Sequence, residues 1–186
     1  MLYSVEMIEL EHPLDYVIAF DNGTSANGIA VLGPDNYVRY EKLPIKNELS
    51  YTKEEHHITR IDAPKLEALL VSLNLPKTTL AVLERPMINP MRFRASISAV
   101  RCLEAELITI EKLGLRLEYV DSKQWQRVLL PGIEGSDELK KASLELGKKL
   151  YPNLKLKKDA DSLLIAYWAL NRPALEKQKP KRKKEL

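Results

Sequence analysis

At 186 residues, 45% of them apolar and 30% charged, the chain has the length and composition of one soluble domain with a sizeable core rather than two domains. No apolar run approaches the roughly 20 residues of a membrane span, and the opening MLYSVEMIELEH lacks the basic-then-apolar layout of a secretory signal, so a cytoplasmic protein without a membrane partner is expected. A single cysteine, Cys102, excludes an internal disulfide and any zinc-type cysteine spacing, and the net charge of +3 is gathered at one end, where six Lys and Arg residues stand against Glu185 in the last ten positions.

Residues 1–14 read as an irregular leader, 15–172 as the folded domain, and 173–186 as a basic, disordered tail. Interrupted by Pro180, that tail is too polar to fold alone and would be drawn to a polyanion. Within the domain, Tyr16–Asp21 and Ile29–Leu32 are predicted as paired strands. A third follows at about Tyr37–Ile45, after the turn signal Gly33-Pro34-Asp35-Asn36. Together these make an antiparallel meander. The polar segment Asn47–Arg60 has no readable period, and its adjacent His56-His57 cannot face one metal ion from a single helix side.

Asp62-Ala63-Pro64 reads as a helix cap and first turn, with Leu66, Leu69, Leu70 and Leu73 as the apolar stripe, ended by Pro76. Thr78–Leu83 is a continuous apolar, β-branched run of the kind found in buried strands, and Glu84 ends it. After the loop RPMINPM comes a long helix from about Arg92 to Leu113, closed by Gly114. Leu115–Val120 is a further strand; Asp121-Ser122 opens a short helix carrying Trp125, Val128 and Leu129. Ser136-Asp137-Glu138 starts a helix to about Leu150. Asp159-Ala160-Asp161 precedes the apolar helix SLLIAYWAL. Three strands, helix, strand, helix, strand and then helices define an α/β fold: a mixed sheet with an antiparallel meander and parallel strands, flanked by helices.

Three acidic positions share a feature. Asp21 ends the first strand, Glu84 ends the fourth, and Asp159 and Asp161 open the last helix. In open α/β sheets the ends of neighbouring strands line the usual site crevice. Should the first and fourth strands be neighbours, these carboxylates would gather, and they would stay ionised only beside a counter-charge. A hard divalent cation with oxygen ligands, Mg²⁺ or Mn²⁺, suits them, and two such ions about 4 Å apart clamp a phosphodiester. Taken singly, each acid also suits a turn residue or a helix cap.

Phe20-Asp21-Asn22-Gly23-Thr24-Ser25 with Gly28, Leu83-Glu84 at a strand end, and Lys157-Lys158-Asp159-Ala160-Asp161-Ser162-Leu163-Leu164-Ile165-Ala166 resemble the three acidic motifs of RuvC-like Holliday junction resolvases, of the ribonuclease H-like fold. The resemblance spans about Tyr16–Leu170. It implies a homodimer that cuts four-way DNA junctions with two Mg²⁺ or Mn²⁺ ions per site, leaving 5′-phosphate and 3′-hydroxyl ends. It also implies that Asp21 bridges the metals, Glu84 ligates one, and Asp161 is the acid of the last helix.

The chain departs from the bacterial pattern at two points. The acid or histidine expected three residues before the last Asp is Lys158 here, with Asp159 as the nearest substitute. The aromatic residue expected three after Glu84 is Met87, so Met87 or Phe93 is the candidate for the junction centre. Arg85, Arg92 and Arg94 suit phosphate contact beside the metals. Lys123, Lys140 and Lys141 resemble the lysines flanking the family's DNA-binding loop, and Lys158 joins this basic set. The compact chain and altered last motif fit a phage-type member.

Competing readings are a nuclease of the same fold acting on RNA or other branched DNA, and a non-catalytic junction-binding protein. A sugar-kinase or actin-like ATPase, suggested by the Asp21–Ser25 turn alone, needs two such domains. Uncompensated carboxylates would repel the phosphates that a binder must meet.

Overall fold

The computed structural model describes residues 16–22, 28–51, 53, 57–158 and 160–177. The expected leader, the turn residues 23–27, His56, Asp159 and residues 178–186 lie outside them. Five strands form the central sheet: β1 (Val17–Phe20), β2 (Gly28–Leu32), β3 (Val38–Lys42), β6 (Leu80–Glu84) and β7 (Arg116–Val120). Their order is β3-β2-β1-β6-β7; β1–β2 and β2–β3 run antiparallel, and β1–β6 and β6–β7 run parallel. This is the expected mixed sheet, with its first and fourth predicted strands side by side at the centre.

The residues of β1 and β2 are all buried, as continuous apolar runs covered on both faces should be. Period-2 alternation then divides one strand between two cores. Val17 and Ala19 of β1 join the core formed with α3 (Ser122–Leu129), α4 (Ser136–Leu150) and α5 (Asp161–Lys177). Ile18 and Phe20 join the core formed with α1 (Ala63–Ser72) and α2 (Phe93–Leu113). On the first side, Leu163, Leu164, Ile165 and Ala166 are wholly buried, so α5 is apolar nearly all round.

The helix boundaries follow their local chemistry. Asp62 accepts from the Lys65 amide at 3.5 Å, and Pro64 occupies the first turn of α1, where a missing N–H costs nothing. At the end of α2, Gly114 takes φ 64°, a left-handed cap that L side chains rarely adopt. Gly147 of α4 serves a different purpose: a Cβ there would stand 2.4 Å from the Ala160 Cβ, so the glycine lets α4 approach the segment leading into α5. No helix among the described residues is long and apolar enough to cross a membrane.

The structure differs from the sequence expectation in three places. The third strand stops at Lys42 rather than continuing to Ile45, because Pro44 cannot donate to a ladder; its carbonyl instead accepts from the Asp62 amide at 2.9 Å. Ile45 begins β4 (Ile45–Leu49), which pairs antiparallel with β5 (His57–Ile61) as a separate two-stranded sheet. The unreadable segment is thus largely a hairpin held by polar contacts: across the strands Thr59 Oγ1 donates to Asn47 Oδ1 at 2.7 Å and Arg60 pairs with Glu48, and along β4 Lys46 pairs with Glu48 at 2.9 Å. Finally, α5 runs through Pro173 to Lys177, inside the stretch expected to be tail. Arg172 secures that turn, reaching Glu118 of β7 at 2.8 Å and lying 4.5 Å above the Trp168 ring.

Candidate active site

Parallel pairing of β1 with β6 places Phe20 opposite Leu83, so Asp21 leaves its strand level with Glu84 at the end of the neighbouring one. Beyond the ladder, the Asn22 side-chain amide donates to the Glu84 backbone carbonyl and ties the two strand ends together. Glu84 Oε1 accepts from the indole Nε1 of Trp125, a fully buried residue of α3, at 2.9 Å. Burial pushes the Glu84 carboxyl up to about 7; the Trp125 hydrogen bond works against this, and the charges of Asp161 and Asp121 reinforce it.

Asp161, the first residue of α5, supplies a second carboxylate to this side of the sheet. Its Oδ1 accepts from Ser143 Oγ of α4. The same buried hydroxyl accepts from the Ala160 amide at 3.2 Å, so one serine holds both the helix entry and its acid. Asp21 also acts toward α2. Its charge is felt by Glu106 of α2, which is fully buried and held well above the ordinary carboxyl range by burial first and Asp21 second. Cys102, one turn earlier on α2, is pushed up to about 12, by burial and by Glu106 ahead of Asp21.

A cleft of about 860 Å³ is lined by Arg85, next to Glu84 in sequence, and by Met87 and Lys123 from the predicted set, with Asp121, Arg127 and Trp168; Asp21, Glu84 and Asp161 are not among its lining residues. Arg85 pairs with Asp121 at 3.3 Å and lies 5.4 Å from the Tyr119 ring centroid. Arg92 ends the short 3-10 turn Pro90–Arg92, and Phe93 and Arg94 open α2; all three are exposed, outside the cleft lining. Lys140, Lys141 and Lys158 are exposed and also outside that lining. Asp159 lies outside the described residues.

Three contributors are not singled out by the sequence motifs. Arg127 stands four residues after Lys123, a helical repeat that places it on the same side of α3. Ser143 stands four before Gly147 on α4, and both are buried. Glu106 stands four after Cys102 and four before Ile110, on an otherwise apolar stripe.

Among the described residues, no three acids, histidines or cysteines already form a metal cage. The donors nonetheless suit a hard divalent cation. Asp21, Glu84 and Asp161 offer only carboxylate oxygen, and Glu84 and Asp161 repel each other without an ion between them. Mg²⁺ in particular is commonly held by one or two carboxylates, with waters and substrate phosphate completing its shell.

No family model and no curated protein matches the chain. Among solved structures, it is similar to Thermus thermophilus RuvC in complex with a Holliday junction substrate, at 15% identity and a TM-score of 0.52 over 83% of this chain and 94% of that one. It is similar also to a second Thermus thermophilus RuvC structure, at 13% identity and a TM-score of 0.53 over 86% and 96%. At this identity the likeness is one of architecture: the chain has a RuvC-like, ribonuclease H-like α/β fold.

Proposed function

We propose that this chain is a divalent-metal-dependent endonuclease that resolves four-way DNA junctions, leaving 5′-phosphate and 3′-hydroxyl ends. The observation that carries the reading is that Asp21 and Glu84 leave the ends of adjacent parallel strands at one level, with Asp161 close enough to raise Glu84 and with Arg85, next after Glu84, lining a cleft with Lys123 and Arg127. The RuvC structure that binds a Holliday junction substrate shares this fold.

The chain's own groups divide the work. Trp125 and Ser143 fix the orientations of Glu84 and Asp161, and Asn22 fixes the offset between the two strand ends. A divalent cation bound by these acids would supply charge neutralisation at the phosphate and activation of water. Arg85, Lys123 and Arg127 would position the DNA backbone. Met87, three-quarters exposed at the mouth of the same cleft, is the candidate for the junction centre. A four-way junction has two-fold symmetry, and the reading calls for a homodimer built on α2.

The test compares a synthetic four-way junction with linear duplex, flap and RNA–DNA hybrid, each with Mg²⁺ and with chelator. Paired, metal-dependent cuts confined to the junction are expected. Cutting of the other substrates but not the junction would move the activity to another nuclease class, and binding without cutting would remove the enzymatic role. Asp21→Asn is expected to lower cleavage at least about a thousandfold while leaving junction binding intact; unchanged cutting by this variant sinks the site assignment. Removing residues 177–186 is expected to weaken junction binding and flatten its salt dependence, by up to about 0.9 in log–log slope for each phosphate the tail neutralises. An unaltered slope would make the basic end a bystander.

A further inference from the structure

Glu106 is a buried acid for which the fold alone gives no reason. Its side chain is wholly inaccessible, and neither carboxyl oxygen has a hydrogen-bond partner among the described residues. The neighbouring polar side chain on its helix face, Thr109, already donates to the Ala105 carbonyl at 2.7 Å. Arg101 lies 5.7 Å from the Tyr51 ring centroid, and its charge acts on Cys102 rather than on Glu106. A leucine or methionine would fill the space without leaving a buried polar atom unmatched.

Burial and charge link the residue to the candidate site. Cys102, Glu106 and Ile110 share the buried face of α2, which packs on β6 and β5, and the charge that Glu106 feels is that of Asp21 at the end of β1. Next to Asp21, Asn22 Oδ1 is also buried without a partner, while its Nδ2 is engaged by the Glu84 carbonyl. Three orphaned atoms here are therefore acceptors, two carboxyl oxygens of Glu106 and one amide oxygen of Asn22; Arg101 Nε, five residues before Glu106, is an orphaned donor whose charge acts on Cys102. Oxygen acceptors without donors are the ligand chemistry of a hard divalent cation.

We propose that Glu106 is a further metal-facing residue: together with Asp21, and with the Asn22 side-chain carbonyl alongside, it holds a divalent cation on the α2 side of the strand ends, opposite the Glu84–Asp161 pair. This rests on the metal-dependent reading above and extends it to a carboxylate outside the three acidic motifs. It makes α2 a contributor to the site as well as a packing element.

The test uses Mn²⁺ alone, without DNA, followed by calorimetric titration and by the unfolding midpoint in Mn²⁺ and in chelator. Glu106→Gln is expected to weaken Mn²⁺ binding at least about tenfold and to shrink the Mn²⁺-induced rise in midpoint. Its midpoint in chelator should be no lower than that of the parent, because a neutral side chain of the same shape replaces an unmatched carboxyl. Glu106→Asp, which keeps the carboxylate, should recover part of the affinity. Parental Mn²⁺ affinity in Glu106→Gln overturns the proposal and leaves Glu106 as a buried neutral acid. Weakened binding accompanied by a lower midpoint in chelator also overturns it, as packing damage. Absence of Mn²⁺ binding by the parent protein removes the metal-dependent reading itself, a failure distinct from that of Glu106.

Discussion

The two faces of the central sheet are covered by helices of opposite character. On one side α5 commits nearly all of its apolar surface to the sheet, with Leu163, Leu164, Ile165, Ala166 and Ala169 almost wholly removed from solvent. On the other side α2 buries Cys102 and Ile110 but leaves Phe93, Ile97, Val100 and Ile108 exposed at helical spacing, continuing the apolar loop residues Met87, Ile88 and Met91. A helix buried all round has no surface left to offer. A helix with a second apolar stripe facing outward, here interrupted by the exposed Glu104, is packed on one side only, and exposed apolar surface of this kind suits an association site. Thus α5 secures the fold, while α2 both covers the core and presents a surface for the proposed dimer.

The largest expected effect tests that surface. Val100→Glu, at the centre of the exposed stripe, should weaken self-association at least about a hundredfold while leaving the monomer folded, read by sedimentation and far-UV circular dichroism. A parent chain that is already monomeric at micromolar concentration would remove the outer stripe of α2 as a dimer surface.

A pH titration of stability in chelator comes next. The Glu84 carboxyl, on the α5 side, rises from 4.5 in its ordinary state to about 7 in the folded protein. Glu106, on the α2 side, moves in the same direction. Each binds its proton more tightly when folded, so this stability is fully present below the unfolded carboxyl value and is lost as pH rises through the folded one. For Glu84 the loss should span pH 4.5 to about 7 and amount to at most about 3 kcal/mol. Saturating Mg²⁺ should flatten the decline, because the ion favours the ionised carboxylates. Stability that rises over this interval in chelator would contradict the burial of these acids.

The smallest effects compare packing directly. Gly147→Ala, despite alanine's better helix propensity, should destabilise by about 1 to 3 kcal/mol, because its Cβ meets Ala160 and Leu156. Ile108→Ala on the outer stripe of α2 should change monomer stability by no more than about 0.5 kcal/mol. Both are readable in urea titrations, and equal effects would erase the contrast between the faces.

How much of this was legible in the sequence depended on the force that holds each part. Strands buried on both faces announce themselves as apolar runs, so β1, β2 and β6 could be placed, and with them Asp21 and Glu84 at the strand ends, while the edge strand β7, only partly buried, was marked by its place between Gly114 and the helix start Asp121-Ser122. Gly114 could be read as a stop because few other residues accept its backbone angle. The β4–β5 hairpin could not, since cross-strand polar pairs such as Asn47 with Thr59 leave no apolar period to detect. Nor could the continuation of α5 past Pro173, where Arg172 reaches a glutamate 54 residues away. Glu106 was hidden by composition: between Ala105 and Leu107 it reads as one more charged residue of a mixed helix, and only its place on the Cys102–Ile110 stripe distinguishes it.

The tie from Asn22 to the Glu84 carbonyl bears on which length changes this protein can absorb. The offset between Asp21 and Glu84 is set by the pairing of Val17–Phe20 with Leu80–Leu83. A residue inserted within Leu80–Glu84 would turn Glu84 from the Trp125 side to the α2 side, since each step along a strand reverses the face. The same insertion in the loop between Glu84 and α2 would leave both acids where they are. Tolerance to insertion should therefore change abruptly at Glu84, a boundary that a deletion-and-insertion scan of this region would locate to the residue.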